Sequence, residues 1–537
     1  MIKYKTLYMC FTGDLKEDKC YISHVSYAEN DKIVTYNSLI SAINNIIKGK
    51  EKRIKIYAHD LSYSAQYIMA QLRSVGIEEQ KRTEEKTENT FSYTYAPHAG
   101  FFNFNIYYKG HTIIIVDSKK MAPVKINDIC EMFNIEEEDY IKKNIKAVQT
   151  IISTLAENGM TKNTIGSSCI DVFKNMSKGS ALWWKQMYPD LTKIECPDEF
   201  YDTVDEYIRD AYHGGLCYIN EQYKGQIVHN GLTIDKNSMY SSVAHSQSGN
   251  YLPYGIPRWL KNEAAVKGMM ALKQCFIFLQ VHADHIKVKD KRIASQSDAF
   301  TYISEAEDIR LVLTEQDYNR LIEDYEIKNL KILNGYTFQQ SKGFYDAYID
   351  YFMDMKENAP TKGHRKIAKL ANNNLWGKFG TRPNRIGAYL REDKERLYTT
   401  TAEVLYVPVA AAITSYSRND LLDTVYKIGY DIVLYTDTDS VHFLGDDTKD
   451  VYIDSKKLGA WKVEARWTDA IFYTHKRYIE KTENSYEVTL GGIGETAVND
   501  TVEKLNNGIY TLETLDVSQI KDKIKIADTT GYHYEWR

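Results

Sequence analysis

The sequence Ile432-Val433-Leu434-Tyr435-Thr436-Asp437-Thr438-Asp439-Ser440-Val441 contains an apolar run, an acidic turn and the start of a second apolar run. This pattern predicts a β-hairpin over residues 431–445 with its turn at Asp437-Thr438-Asp439. Such a turn alone is more often purely structural, because Asp side chains hydrogen-bond to nearby backbone groups in turns. A functional reading therefore depends on two other segments.

The first segment, Thr233-Ile234-Asp235-Lys236-Asn237-Ser238-Met239-Tyr240, is typical of a strand that ends on a carboxylate and then turns. The second is a predicted helix over residues 365–377, between the two acidic segments. Its residues at four-residue spacing, which places them on one face, are Arg365, Lys369, Asn373 and Gly377. Asp235 alone could be a helix N-cap, and a basic face alone is usually a solvated surface. The three segments in this order favour a functional site.

Phosphoryl transfer requires a protein to position the reactants and to neutralise charge. Two divalent ions about 3.5–4 Å apart activate the attacking hydroxyl and stabilise the leaving phosphate, and carboxylates hold them. Asp235 from one strand and Asp437 or Asp439 from the acidic turn provide hard oxygen ligands of the kind Mg²⁺ (or Mn²⁺) prefers. The helix face would contact a triphosphate and a base pair. We therefore predict a nucleotidyl-transfer centre with two metal ions.

These segments resemble motifs A, B and C of family B DNA polymerases, and most closely those of the protein-primed group that replicates linear, protein-capped genomes of phages and plasmids. Two further segments resemble elements of that group: Tyr212-His213-Gly214-Gly215 its YxGG element, and Lys476-Arg477-Tyr478 its KxY element. The resemblance covers essentially the whole chain. It implies a DNA-directed DNA polymerase of α/β (α+β) class, with an N-terminal ribonuclease-H-like exonuclease-type domain and a right-hand polymerase.

The resemblance also implies roles for individual residues. Asp235 and Asp439 would be the principal metal ligands, with Asp437 assisting. Lys369, helped by Arg365, would bind the triphosphate of the incoming dNTP. Tyr240 would also bind the nucleotide and would exclude a 2′-hydroxyl. The other nucleotide-binding groups would be Asn373 and the backbone from Lys236 through Ser238 to Met239.

DNA would be bound by residues from three motifs. Tyr212, Gly214 and Gly215 would guide the template, and Lys476 and Tyr478 would hold the primer. Gly377, together with Asn373, would contact the nascent base pair and the template. Trp376 stands where the family usually has tyrosine, which predicts a bulkier stacking surface and alters the expected nucleotide selection.

The N-terminal domain lacks the carboxylates with which this family proofreads. Thr12, Ser64 and Asn144 occupy positions where the family has acidic metal ligands. Asp14 and Asp60 lie nearby in the sequence, but their spacing does not match. Without anionic ligands the site cannot hold two divalent ions. We expect a polymerase without 3′–5′ proofreading, whose N-terminal domain serves as a structural clamp on template or primer.

The resemblance divides the chain into seven parts. They are 1–163, the exonuclease-like domain; 164–248, the first part of the palm; 249–346, an insertion that would engage the terminal protein and DNA; 347–381, the fingers; 382–403, a second insertion; 404–490, the second part of the palm; and 491–537, the thumb. Either insertion could instead be an ordinary loop, although long loops often carry function.

Composition is compatible with these expectations without requiring them. The net charge of −5 gives no global signal for nucleic-acid binding, because basic residues can be concentrated in one channel. Seven scattered cysteines without a CxxC motif argue against disulfides and zinc. No segment is apolar enough to span a membrane. We expect a cytoplasmic monomer that binds a DNA template and primer, dNTPs and a terminal protein primer.

Two other functions remain open on the sequence alone. The chain could be a polymerase fold kept as a non-catalytic nucleic-acid-binding factor, since the proofreading site has decayed. It could also be a reverse transcriptase or a defence polymerase, because Tyr240 indicates deoxynucleotides as substrates but does not distinguish a DNA from an RNA template.

Overall fold

The computed structural model describes residues 4–520, apart from 17–18, 30–31, 82–83, 97–99, 298–300, 383, 392–393, 402–404 and 494. Its strands form sheets of eight, seven, five and two strands. Within the described residues, no helix is both long enough and apolar enough to cross a membrane.

The N-terminal region is an eight-stranded sheet with helices on both faces, in the strand order β3-β2-β1-β4-β8-β7-β6-β5. The elements are β1 (Lys5–Lys16), β2 (Lys19–Glu29), β3 (Lys32–Tyr36), α1 (Leu39–Ile46), β4 (Arg53–Ala58), α2 (Leu61–Arg73), β5 (Glu78–Glu79), β6 (Thr90–Ala96), β7 (Gly100–Tyr108), β8 (His111–Asp117), α3 (Ser118–Met121), α4 (Ile126–Met132) and α5 (Tyr140–Glu157). Apolar residues of β1 alternate between the two faces, so that Leu7 and Met9 pack with α1 and α2 while Cys10 packs against α5.

The periodicity of apolar residues in the sequence predicts strands over residues 53–58 and 112–116 and helices over residues 64–75 and 136–156. The predicted strand Arg53–Ala58 has the observed bounds, and the predicted strand Thr112–Val116 lies within β8. The helix predicted over 136–156 begins later, because Asp139 caps it by accepting a hydrogen bond from the Lys142 N–H at 2.9 Å. The helix predicted over 64–75 begins earlier, at Leu61.

A seven-stranded antiparallel sheet carries the acidic segments, in the order β22-β21-β20-β10-β19-β18-β9. Its strands are β9 (Cys217–Ile219), β10 (Ile227–Lys236), β18 (Val433–Asp437), β19 (Ser440–Leu444), β20 (Trp461–Thr474), β21 (Arg477–Thr482) and β22 (Tyr486–Leu490). The predicted hairpin over 431–445 is confirmed as β18 and β19. One face of this sheet is buried against α14 (Val407–Ile428) through Leu421, Leu422 and Val425.

The residues between β10 and β18 form two further units. Residues 252–341 contain a five-stranded sheet with its own apolar core: β11 (Leu252–Leu260), α10 (Glu263–Leu272), β12 (Phe276–Val288), β13 (Glu305–Thr314), α11 (Glu315–Asp324), β14 (Tyr325–Lys328) and β15 (Lys331–Ser341). Two helices follow, α12 (Asp346–Glu357) and α13 (Lys362–Phe379), and then a hairpin of β16 (Asn384–Arg391) and β17 (Lys394–Thr401). Because proline interrupts a helix, Pro360 predicts a break in this helical stretch, and it lies between the two helices, where Thr361 caps α13.

Four more helices precede the five-stranded sheet: α6 (Ile165–Met176), α7 (Ala181–Met187), α8 (Val204–Arg209) and α9 (Met239–Ala244). A C-terminal helix, α15 (Glu495–Asn506), packs beside β22. A single apolar cluster joins α5 of the N-terminal region to α6, α12 and α13. The boundaries of the seven predicted parts stay predictions, and the last seventeen residues of the predicted thumb, 521–537, lie outside the described residues.

Candidate active site

Three neighbouring strands bring the acidic residues together. Asp235 in β10 is paired with Ser440 in β19, and Asp437 in β18 is paired with the same residue on its other side. Such partners have Cα atoms about 4.5–5.5 Å apart. Asp439 directly precedes Ser440, and its carbonyl accepts a hydrogen bond from the Lys236 N–H at 2.7 Å. All three Asp residues therefore lie around one point at the end of β10.

The acidic turn is held by backbone hydrogen bonds. Thr438 has a φ of +63°, a conformation that is unfavourable for a β-branched residue. Its N–H donates to Leu216 O at 2.8 Å, and the Asp439 N–H donates to Asp437 O at 2.7 Å. These bonds stabilise the strained backbone and fix the directions of the two carboxylates.

Negative charge accumulates at this turn. Burial, together with the charges of Asp235 and Asp437, raises the pKa of Asp439 to about 6. Burial also raises the pKa of Asp235, although the charge of Lys462 partly offsets that effect. The site is thus an acidic, partly desolvated pocket that a bound cation would stabilise.

The donor set fits Mg²⁺, which prefers carboxylate oxygens together with substrate phosphates. Within the part of the chain that the structure describes, no three His, Cys, Asp or Glu side chains are grouped closely enough to hold an ion by themselves. Asp235 Oδ1 instead lies 3.1 Å from Lys462 Nζ, and Asp437 Oδ1 lies 3.6 Å from Lys476 Nζ. Ammonium groups therefore stand beside two of the three carboxylates.

The cationic face of α13 is exposed as predicted. Its residues Arg365, Lys369, Asn373 and Gly377 are all exposed. On the other side, Ile367, Ala371 and Leu375 are fully buried, whereas Leu370 is only half-buried. The charge of Lys369 acts on both Asp235 and Asp439, so this face is directed toward the acidic turn.

Two lysines near the turn were missed by sequence reasoning. Lys356 at the end of α12 lies with its Nζ 3.4 Å from Ser238 Oγ, and its carbonyl accepts a hydrogen bond from Arg365. Burial and the charges of Arg365 and Lys369 lower the pKa of Lys356. Lys462 lies opposite Asp235 across the β10–β20 ladder. The helical or strand periodicity of the sequence does not predict either contact, because both contacts depend on how separate elements pack together.

Tyr240 and the YxGG segment border the turn. Burial, and then the nearby charge of Asp439, raises the pKa of Tyr240 to about 12. Tyr212 packs so closely on Gly380 that a Cβ there would lie 2.4 Å from its ring. Arg418 donates hydrogen bonds to the carbonyls of His213 (2.9 Å) and Gly214 (3.1 Å) and pairs with Asp317 at 2.7 Å.

The KxY residues lie beside β18, the strand that leads into the acidic turn. Lys476 is exposed, has a φ of +59° and donates its N–H to the phenol oxygen of Tyr435 (Oη) at 2.8 Å. Tyr478 packs against the Tyr435 ring with centroids 5.2 Å apart. The structure thus places Lys476 next to Asp437. It places Tyr478 against β18, the strand that carries Asp437.

Two expectations about individual residues were wrong. Trp376 does not offer a stacking surface, because it is only 3% exposed, donates its Nε1–H to Ser241 Oγ at 3.2 Å and packs edge-on against Tyr345. Lys236 does not present its N–H to a phosphate, because that group bonds to Asp439 O. Its side chain forms an ion pair with Asp420. Of the expected phosphate-binding stretch, Ser238 adopts a φ of +52° and Met239 is buried.

The three residues expected at the acidic positions of an exonuclease site are not carboxylates. Thr12 pairs with His24 in the neighbouring strand, Ser64 is buried, and Asn144 donates to Tyr140 O at 2.8 Å on its own helix. Asp60 forms an ion pair with Lys119, in which Asp60 Oδ2 lies 2.6 Å from Lys119 Nζ. The side chain of Asp14, the other nearby acid, lies outside the described part of the structure.

Comparison with known proteins identifies the class. The family model described as DNA polymerase type B, organellar and viral, matches residues 134–442, which is more than half of the 537-residue chain. The chain therefore belongs to the type B DNA polymerases of organelles and viruses. The expectation of a family B DNA polymerase is confirmed.

Individual relatives agree with this assignment. The DNA polymerase of Bacillus phage B103 is 27% identical over 522 residues, covering 89% of this chain and 87% of the relative. That of Bacillus phage phi29 is 25% identical over 521 residues, covering 89% and 86%. The structure of Phi29 DNA polymerase complexed with primer-template DNA superimposes with a TM-score of 0.83 at 22% identity, covering 99% of each chain. This likeness confirms the expected fold, with an exonuclease-type and a polymerase region.

Proposed function

We propose that this polymerase adds deoxynucleotides to a 3′-hydroxyl on a DNA template, with Asp235 and Asp439 as the principal ligands of two Mg²⁺ ions and Asp437 assisting. The observation that carries the proposal is the strand register that places Asp235 and Asp437 on either side of Ser440, with Asp439 directly before it and the exposed Lys369 of α13 close enough to act on Asp235 and Asp439. The proposed reaction class agrees with the family to which the chain belongs.

The chain's own residues would position the substrates. Lys369, Arg365 and Lys356 would neutralise the triphosphate, because Lys369 acts on Asp235 and the three cations lie close enough to one another for Arg365 and Lys369 to lower the pKa of Lys356. Tyr240, beside Asp439, would exclude a 2′-hydroxyl from the sugar site. The metal ions, when bound, would lower the pKa of the primer hydroxyl and stabilise the leaving pyrophosphate. Tyr212, Gly214, Gly215 and Gly377 would contact the template, and Lys476 and Tyr478 the primer.

Primer extension with Mg²⁺ tests this proposal. The Asp439→Asn variant is expected to lose about 10,000-fold or more in rate, because members of a catalytic unit have effects of this size. Asp446→Asn is a matched control, since Asp446 is an exposed acid just beyond the same hairpin. Wild-type protein that extends no primer with Mg²⁺ or Mn²⁺ would favour the non-catalytic binding factor instead. Matched DNA and RNA templates in the same assay test template choice.

We also propose that replication is primed by a terminal protein, in the cytoplasm of a phage's host or of a cell that carries a linear plasmid. Two observations support this: phage DNA polymerases match most of the chain, and residues 252–341 form a unit with its own core between the acidic segments. Incubation with radiolabelled dNTPs and a lysate of the source should label a protein covalently, and nuclease treatment should leave that label in place. Asp439→Asn should abolish the labelling.

We further propose that proofreading is absent and that the N-terminal region holds template or primer. The chemistry of Thr12, Ser64 and Asn144 supports this, since none of these side chains is an anionic ligand. The ion pair of Asp60 with Lys119 also supports it, because this nearby acid already has a cationic partner.

A further inference from the structure

Lys462 lies directly across from Asp235 in the register of β20 with β10. Side chains of such partners project from the same face of a sheet, with Cβ atoms about 4.5–5.5 Å apart. Lys462 Nζ is 3.1 Å from Asp235 Oδ1, and the same ammonium group also forms an ion pair with Glu464. Glu464 is two residues further along β20 and therefore on the same face.

This ammonium group contacts the carboxylate that would also bind the metal ion. A divalent ion at Asp235 would contact the carboxylate that Lys462 now contacts, and two cations in contact repel each other. The cations of α12 and α13 add to this repulsion, because Lys462 lies close enough to affect the pKa of Lys356. Binding of the metal and contact between Lys462 and Asp235 are therefore expected to exclude each other.

The structure also provides a place for the displaced ammonium group. Lys462 and Asp235 have side chains that are 29% and 28% exposed, so the pair is not locked in the core. A lysine head on a flexible four-carbon stem can move by several ångströms without backbone change. Glu464 is 48% exposed and already contacts Lys462, so it can keep the ammonium group paired after Asp235 is released.

We propose that Lys462 is a competing internal cation at the metal site. It neutralises Asp235 in the metal-free protein and moves onto Glu464 when a divalent ion binds, so it sets the metal concentration that the polymerase requires. This inference rests on the proposed function, which assigns Asp235 as a metal ligand. The simpler alternative is a cross-strand ion pair that only stabilises the sheet.

Mn²⁺ binding to the full, DNA-free chain, followed by electron paramagnetic resonance, separates these readings without measuring catalysis. Lys462→Met, which keeps the stem and removes the charge, should bind Mn²⁺ about 5- to 50-fold more tightly than wild type, the usual range for coupled sites. Lys462→Arg should bind with nearly wild-type affinity. Lys481→Met is the matched control, because Lys481 pairs with Asp469 in the same sheet at 3.5 Å, away from the acidic turn.

Three further variants make the result decisive. If Asp235→Asn weakens Mn²⁺ binding while Lys462→Met leaves it unchanged or weaker, the competing cation is refuted and the metal site stands. If Asp235→Asn binds as wild type does, the proposed metal site itself is refuted. The double variant should bind like Asp235→Asn alone, because the effect of Lys462 acts through that carboxylate. Lys462→Gln is measured in parallel, so that the outcome does not depend on the folding of one variant.

Discussion

Gly215 lies against Thr438, so that a Cβ on Gly215 would come within 2.6 Å of Thr438 Oγ1 and 2.9 Å of its Cβ. The YxGG segment thus contacts the residue between the two Asp residues of the acidic turn. Because the Thr438 N–H also bonds to Leu216 O, the two segments support each other through both backbone and side chain.

Gly215→Ala should therefore impair catalysis by moving the turn. We expect kcat at saturating DNA to fall by about 100-fold, the size of effect that a shift of about 1 Å produces at a reacting centre. Gly214→Ala is the comparison, since a Cβ there meets no atom within 4 Å. The Gly214 variant should change DNA affinity more than kcat. Equal losses of kcat in both variants would contradict this reading.

The raised pKa of Asp439 predicts a pH-dependent stability. The folded protein holds this proton up to a pH of about 6, whereas the unfolded chain releases it near 3.8, so the free energy of unfolding falls as pH rises between these values. Asp439→Asn should raise the stability of metal-free protein at pH 7.5 by about 1–3 kcal/mol. The gain should disappear near pH 4. Thermal unfolding in a chelator measures it, and a gain that is independent of pH would contradict the prediction.

Lys369→Ala should weaken nucleotide binding, because the exposed ammonium group faces the acidic turn from α13. We expect KM for the dNTP to rise by about 10- to 100-fold, since an interaction with the triphosphate is lost. Lys366→Ala removes an equally exposed cation three positions earlier in the same helix and is the control. Similar kinetics in the two variants would exclude a special role for Lys369.

Glu480 is expected to stabilise the sheet beneath the site. It accepts a hydrogen bond from Thr233 Oγ1 at 2.5 Å and contacts His442 Nδ1 at 2.7 Å, and all three residues are buried. Glu480→Ala should lower the free energy of unfolding by about 2–4 kcal/mol, because it leaves buried polar groups unpaired. Glu480→Gln keeps an acceptor and should cost less. Urea unfolding of both variants tests this, and equal losses would show that the hydrogen bonds contribute little.

A single-stranded oligonucleotide should keep its 3′ nucleotide when incubated with the polymerase and Mg²⁺ or Mn²⁺. The reason is that Thr12, Ser64 and Asn144 cannot act as anionic ligands of two ions. Nucleotide release that Asp60→Asn or Asp14→Asn abolishes would show that these acids replace the missing ones.

The hairpin at 431–445 and the exposed face of α13 could be predicted because each follows from a local period, two for a strand and about 3.6 for a helix. The orientation of Trp376 could not, since whether a helical residue faces solvent or core depends on which elements pack around it. The same holds for Lys462, whose contact with Asp235 depends on the register between strands far apart in sequence. The resemblance placed the acidic residues, but not the lysines beside them.

The central position of β10, between β19 and β20, has a consequence for how the protein matures. Thr233 and His442, which touch across this ladder, are 209 positions apart in the chain. During synthesis, the strand bearing Asp235 leaves the ribosome long before either neighbour exists. An incomplete chain therefore exposes two unpaired edges and an incomplete acidic site, so the candidate site forms late, and premature stops before β20 should yield aggregation-prone products.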